Sequence, residues 1–181
     1  MSNIVIVSGS PSVISRTDLV LRYVQRRLER EGFSTSYVSV LDIPAEDLLY
    51  ARFNSPEVVK ITQNILNADG IIIGSPVYKA SYTGVLKALL DLLPEGAFKN
   101  KPVFPLMVGG SKSHLLAIDY ALRPVIANLK GKSTQGVYLL DSVIDKSEPQ
   151  NPVIELDDVN RLHYHLNEFI VSIHLQQQFT V

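Results

Sequence analysis

Consecutive apolar residues, many of them β-branched, fill positions 4–7, 71–73, 103–108 and 137–140, each run having Gly, Ser or Pro at one end or both. A strand that is apolar at every position is buried on both faces, as in a parallel sheet with helices on either side. Positions 33–40 alternate apolar and polar residues instead and read as an edge strand. Between these runs, segments 17–31, 56–68, 83–93, 113–129 and 156–173 carry the spacing of helices. The alternation of strand and helix, five times over, predicts an α/β chain with an open, doubly wound parallel sheet. Five strands favour the flavodoxin-like order 2-1-3-4-5 over the six-stranded dinucleotide-binding order. Residues 1–175 form the expected domain and 176–181 a frayed tail.

Two prolines disturb the pattern. Pro105 lies inside the fourth strand, which this order makes central. It has no N–H for the ladder, so a bulge or an early loss of pairing is expected there. Pro124 lies inside the 113–129 helix and cannot donate to the carbonyl of Tyr120. A kink or π-bulge is expected between those residues. Asp119 and Arg123, four apart, are placed to pair across one turn. Residues 141–151 read as loop. The connection 41–55 holds Tyr50-Ala51-Arg52-Phe53, and that aromatic content predicts that it packs on something.

The helices also bear on assembly. From Leu115 to Leu129 only Asp119, Arg123, Pro124 and Asn128 interrupt the apolar residues, and 83–93 carries only Lys87 and Asp91 as charges. A surface helix buries one stripe. Helices that are apolar nearly all round predict a homodimer or homotetramer through 83–93 and 113–129. Composition agrees: of 181 residues 46% are apolar and only 19% charged, below the roughly 25% charge of an average domain. The net charge of −1 gives no field that favours nucleic acid or an anionic membrane. The absence of Cys excludes disulfides, thiolate nucleophiles and Cys-ligated metals, so any redox group is a bound cofactor. The amino-terminal apolar run is too short for a signal peptide, and no run approaches a membrane span, so the expected location is the cytoplasm.

In an open α/β sheet, ligands bind beyond the carboxyl ends of the strands where the strand order reverses. Here those are the loops after strands one, three and four. The first holds Ser8, Gly9, Ser10, Pro11, Ser12, Ser15, Arg16 and Thr17. Hydroxyls and free N–H groups at a helix start, with an arginine fork beside them, suit a phosphate. A plain helix cap needs only one of those serines. The second loop runs from Gly74 to Gly84 through Pro76, Val77, Tyr78, Lys79 and Tyr82. Either tyrosine is free to stack on a flat ligand or to pack into the neighbouring helix. The third holds Gly109, Gly110, Ser111 and His114, where two glycines admit close approach. His114 has two open roles, bonding a ligand or capping its own helix.

No P-loop, no G-x-G-x-x-G and no G-x-S-x-G stands in the chain, which excludes the usual triphosphate, dinucleotide and hydrolase readings. A phosphate cradle, an aromatic shelf and a di-glycine opening on one edge suit a phosphorylated planar heterocycle such as FMN. No side-chain nucleophile, catalytic acid or metal is required, since alignment and electrostatics suffice for chemistry that a bound cofactor carries.

The run Ser8-Gly9-Ser10-Pro11 to Ser15-Arg16-Thr17 resembles the phosphate loop of NAD(P)H-dependent FMN reductases. Residues 48–53 (LLYARF), 75–87 (SPVYKASYTGVLK) and 114–125 (HLLAIDYALRPV) are similar to the alkanesulfonate-assimilation members of that family. The resemblance spans roughly residues 4–140. It implies the flavodoxin-like fold, FMN and NADPH (or NADH) as cofactors, and hydride transfer from nicotinamide to FMN N5. It also implies delivery of FMNH2 to a partner flavin-dependent monooxygenase, and tetramers. By the same resemblance Ser8, Ser10, Ser15, Arg16 and Thr17 hold the phosphate. Pro76, Val77, Tyr78 and Lys79 line the isoalloxazine, and Gly109, Gly110 and Ser111 meet its far edge. The helix starting near Ser113 is expected to steady charge on the reduced ring through its dipole. Arg16 and Arg52 are both candidates for a 2′-phosphate. An acidic flavodoxin-type electron carrier and a quinone or azo reductase with retained FMN are the alternatives, and the charge of −1 fits the carrier poorly.

Overall fold

The computed structural model describes residues 2–178. β1 (Asn3–Ser8), β2 (Ser34–Ser39), β3 (Gly70–Pro76), β4 (Pro102–Gly109), β5 (Lys132–Ser133) and β6 (Val137–Leu140) form one parallel sheet. Its order is β2-β1-β3-β4-β5, with β6 also paired to β4. The expected order therefore holds, but the fifth row is two short strands rather than one. The helices are α1 (Arg16–Arg30), α2 (Ala45–Leu49), α3 (Pro56–Leu66), α4 (Gly84–Asp91), α5 (Arg123–Asn128) and α6 (Leu156–Gln178).

Strand alternation divides the core in two. Ile4, Ile6, Ile72, Phe104 and Leu106 meet Leu21, Val24 and Leu28 of α1 and Leu162, Leu166 and Phe169 of α6. Val5, Val7, Ile71, Ile73, Val103 and Met107 meet α3, α4 and α5 on the other face. Each of these isoleucines withdrawn wholly from water contributes about 1.5–3 kcal/mol. The continuous apolar runs are thus explained by burial on both sides.

Pro105 breaks the ladder on one side only. Pairing with β3 continues through it, Ile73 opposite Pro105. Val103 accepts from Thr134 N–H on the β5 side. Alternate residues of a strand turn their backbone groups to the same neighbour, so Pro105 turns its missing N–H toward residues 134–136. There neither β5 nor β6 runs. A Cβ on Gly136 would lie 2.5 Å from the Pro105 carbonyl oxygen, so a glycine backbone closes that gap.

The predicted helix 113–129 is three pieces. A 3-10 turn spans Lys112–His114, a π-helix spans Ile118–Leu122, and α5 follows. The bulge expected from Pro124 is present, and Arg123 N–H reaches back to the Ile118 carbonyl. Arg123 Nε lies 2.8 Å from Asp119, the pair expected across one turn. α6 continues through Gln178, so the first part of the expected tail is helical; residues 179–181 lie outside the described residues. The 41–55 connection packs through Ile43, Asp47 and half-buried Leu48 on its inner side, yet Leu49, Tyr50 and Phe53 are exposed. α4 buries Leu86, Leu89 and Leu90 in the chain's own core, which takes up much of the apolar surface ascribed to a partner copy. Among the described residues no helix is long and apolar enough to cross a membrane.

Candidate functional site

The β1–α1 loop is held at both ends. Gly9 N–H donates to the Gly74 carbonyl at 2.8 Å, and Thr83 Oγ1 donates to the Gly9 carbonyl at 2.6 Å. A Cβ on Gly9 would meet Leu86 at 2.8 Å, so the glycine lets α4 close on the loop. Ser15 is the N-cap of α1, its Oγ accepting from Asp18 N–H at 3.0 Å. Arg16 and Thr17, the first two helical residues, have no acceptor for their N–H groups within the helix. Thr17 Oγ1 is buried and, among the described residues, has no hydrogen-bond partner.

The serines differ in what their protons do. Ser8 Oγ donates to Asp18 Oδ1 at 2.5 Å and Ser15 Oγ to Asp18 Oδ2 at 2.8 Å. Tyr37 hydroxyl donates to the same carboxylate at 2.6 Å. Burial, and then the bonded carboxylate, push the Tyr37 phenol well above its ordinary range. Ser10 Oγ stays within the loop, accepting from Ser12 N–H at 3.2 Å.

After β3, Val77 N–H donates to the Val108 carbonyl at 2.8 Å, and Tyr78 and Ser81 bond each other both ways. Lys79 and Ala80 between them have φ of 47° and 66°, a tight turn that sets Tyr78 out in solvent. Tyr82 packs half-buried against the core instead. After β4, Tyr138 hydroxyl donates to the Ser111 carbonyl at 2.6 Å. Burial pushes its phenol upward, so it remains a donor at neutral pH. Ser111, rather than His114, caps the turn that follows, its Oγ accepting from Ser113 N–H at 3.1 Å. That turn has three residues, so the helix dipole expected near Ser113 is not built. Arg52 lies elsewhere, 3.1 Å from buried Asp47.

These loops enclose a cleft of about 230 Å³. Of the residues the sequence singles out, Ser10, Ser15, Arg16, Thr17, Pro76, Val77, Tyr78, Gly109 and Gly110 are brought together on its lining. Ser8 is wholly buried behind the loop, and Lys79 and Ser111 lie off the lining. Asp141 and Lys146 join the lining without having been expected. Ile144 pairs with Val153, and the 141–151 segment folds back onto the β1–α1 loop. There Arg16 Nε donates to the Ile144 carbonyl at 3.3 Å and Lys146 Nζ to the Ile14 carbonyl at 3.1 Å. Extending the strand-edge rule to the loop after the last strand is the signal that reaches both residues.

An anion fits the α1 end of the cleft, where an unpartnered buried hydroxyl and two free helical N–H groups stand; Arg16 and Lys146 supply cationic charge on the lining, which Asp141 partly offsets. A flat apolar group fits the outer end, between Pro76, Val77, Tyr78 and Gly109. A wider groove of about 500 Å³ lies beside Lys132–Gln135 and α6, near the amino end of β4. It is far from the strand carboxyl ends.

Comparison with known proteins gives a concordant result. The family described as NADPH-dependent FMN reductase matches residues 2–144. The chain is 44% identical over 172 residues to an FMN reductase (NADPH) of Pseudomonas putida, covering 94% of this chain and 87% of the relative. It is 45% identical over 144 residues to an FMN reductase (NADPH) of Escherichia coli K12, covering 78% and 75%. The apo crystal structure of an NADH:FMN oxidoreductase superposes with a TM-score of 0.85 at 34% identity, covering 95% of this chain and 90% of that one.

Proposed function

The chain belongs to the NADPH-dependent FMN reductase family, and from that premise we propose that it delivers reduced flavin to a separate monooxygenase of the alkanesulfonate type. It is an NAD(P)H-dependent FMN oxidoreductase with a flavodoxin-like fold. The similarity of residues 48–53, 75–87 and 114–125 to the alkanesulfonate-assimilation reductases supports the named partner. In this reading FMN is an exchanging substrate and the chain works in the cytoplasm, where reduced nicotinamide nucleotide is at hand.

The observation that carries the reading is the pairing of Thr17 Oγ1, buried and without a partner among the described residues, with Arg16 and Lys146 in one cleft. Thr17, Arg16, Ser10 and the first N–H groups of α1 hold the phosphate. Pro76, Val77 and Tyr78 support one side of the ring, and Gly109 and Gly110 leave its far edge accessible. Bound FMN supplies the hydride acceptor. The residues supply position: Thr83 and Gly74 fix the loop, and Tyr138 fixes the Ser111 carbonyl. A cleft of about 230 Å³ is smaller than the roughly 300–1,000 Å³ of sites that enclose a ligand. The ring therefore stands partly outside the chain, open to a nicotinamide and to exchange.

The test is anaerobic stopped-flow mixing of the protein with FMN and NADPH, followed at the flavin visible band. Bleaching faster than in the protein-free control, with catalytic turnover of free FMN, is expected. Bleaching of only one stoichiometric, non-exchanging flavin would make the chain a carrier or a retained-flavin reductase instead.

A further inference from the structure

Three hydroxyl protons converge on one carboxylate behind the phosphate loop. Ser8 and Tyr37 donate to Asp18 Oδ1, and Ser15 donates to Oδ2. Among the described residues no cation stands within salt-bridge distance of Asp18. Arg22, one turn further along α1, stacks on the Tyr37 ring at 3.4 Å instead. A hydroxyl that donates to a carboxylate offers only lone pairs to a second anion. Ser8 and Ser15 are thus turned away from phosphate binding, although the sequence places them in the cradle. The carboxylate itself stands in the first turn of the helix whose N-terminus faces the anion, and like charges repel across the loop.

We propose that Asp18 is a positioning residue that loosens the site's hold on the flavin phosphate. It does so by taking the Ser8 and Ser15 protons and by setting a negative charge behind the loop. The proposal rests on FMN being this site's ligand and goes beyond it. It assigns to one side chain the exchange that separates a reductase with diffusible flavin from a carrier that keeps its flavin. Asp18→Asn removes the charge and keeps one amide oxygen for Ser8 and Tyr37, while its NH2, which cannot accept, releases the Ser15 hydroxyl on the cleft lining toward the phosphate.

The experiment titrates wild-type protein, Asp18→Asn and Asp18→Glu with FMN and with riboflavin, reading flavin fluorescence. Riboflavin shares the ring and lacks the phosphate. Asp18→Asn is expected to bind FMN about tenfold tighter, with riboflavin affinity unchanged, and Asp18→Glu to stay close to wild type. Unchanged or weaker FMN binding by a folded Asp18→Asn variant overturns the proposal. So do parallel shifts for both ligands, which mark a merely structural role. Asp18→Ser also removes the charge and releases the Ser15 hydroxyl, and it provides the same comparison should Asp18→Asn not fold. Wild-type protein that binds neither flavin overturns the flavin reading itself, a result distinct from binding without tightening.

Discussion

Gly109 and Gly110 look interchangeable in the sequence and are not so in the fold. A Cβ on Gly109 would stand 2.4 Å from the Tyr138 hydroxyl and 3.1 Å from Val77 Cβ. A Cβ on Gly110 would meet nothing closer than Asp141 Oδ2 at 3.4 Å. Neither glycine has a positive φ, so space alone separates them. Gly109→Ala must push Tyr138 off the Ser111 carbonyl, and overpacking of this kind costs about 1–3 kcal/mol. Gly110→Ala should stay within about 0.5 kcal/mol of wild type. Urea unfolding midpoints of the two variants check this, and equal midpoints would contradict the packing argument. The dipeptide shows what a sequence motif conveys: that backbone comes close here, but not which glycine bears the contact.

Helix α6 rests on α1 through an apolar seam with polar contacts at Tyr23–His163 and, on its exposed side, Arg27–Asn167. Tyr23 hydroxyl and His163 Nε2 share a 2.6 Å hydrogen bond, and their rings stack with centroids 5.9 Å apart. Burial, and then Arg27, hold the His163 imidazole below its ordinary value of 6.5, with Glu31 opposing. The folded state therefore binds fewer protons than the unfolded chain between the depressed value and about 6.5. This contribution is full above that range and is lost as pH falls through it. Wild-type stability should drop between about pH 7.5 and 5.5, and His163→Gln should flatten that part of the profile. Urea midpoints at both pH values decide it; parallel profiles would remove His163 from the account. Other elements were legible to different degrees. β1, β3 and β4 show as unbroken apolar runs because both faces are buried. The π-helix follows from Pro124, whose missing N–H leaves the Tyr120 carbonyl without its donor. β5 is invisible because Lys132-Ser133 at a sheet edge has no apolar face to signal it. Lys146 lies in a polar loop, and only the Ile144–Val153 pairing brings it to the cleft.

The low charge of the whole chain divides between its interior and its surface. Double-sided burial of β1, β3 and β4 accounts for part, and α4 is absorbed by the same core. The residue is a set of apolar side chains around the cleft rim and beyond it. Leu115, Leu116 and Tyr120 are 55%, 61% and 55% exposed on the π-helix side. Tyr120 hydroxyl donates to the Ala80 carbonyl, which joins this surface to the Tyr78 turn. A cleft too small to enclose its ligand borders this surface, so a second copy placed here would cover both. We therefore expect a homodimer or homotetramer through residues 113–129, with a smaller share for 83–93 than the sequence implies. Sedimentation velocity at micromolar concentration should show an assembly larger than a monomer. Leu116→Glu sets a charge where a partner must be apolar, and should shift the population toward monomer without lowering the unfolding midpoint of the isolated fold. A monomeric wild type would leave those side chains facing water and confine the explanation of the missing charge to the buried strands.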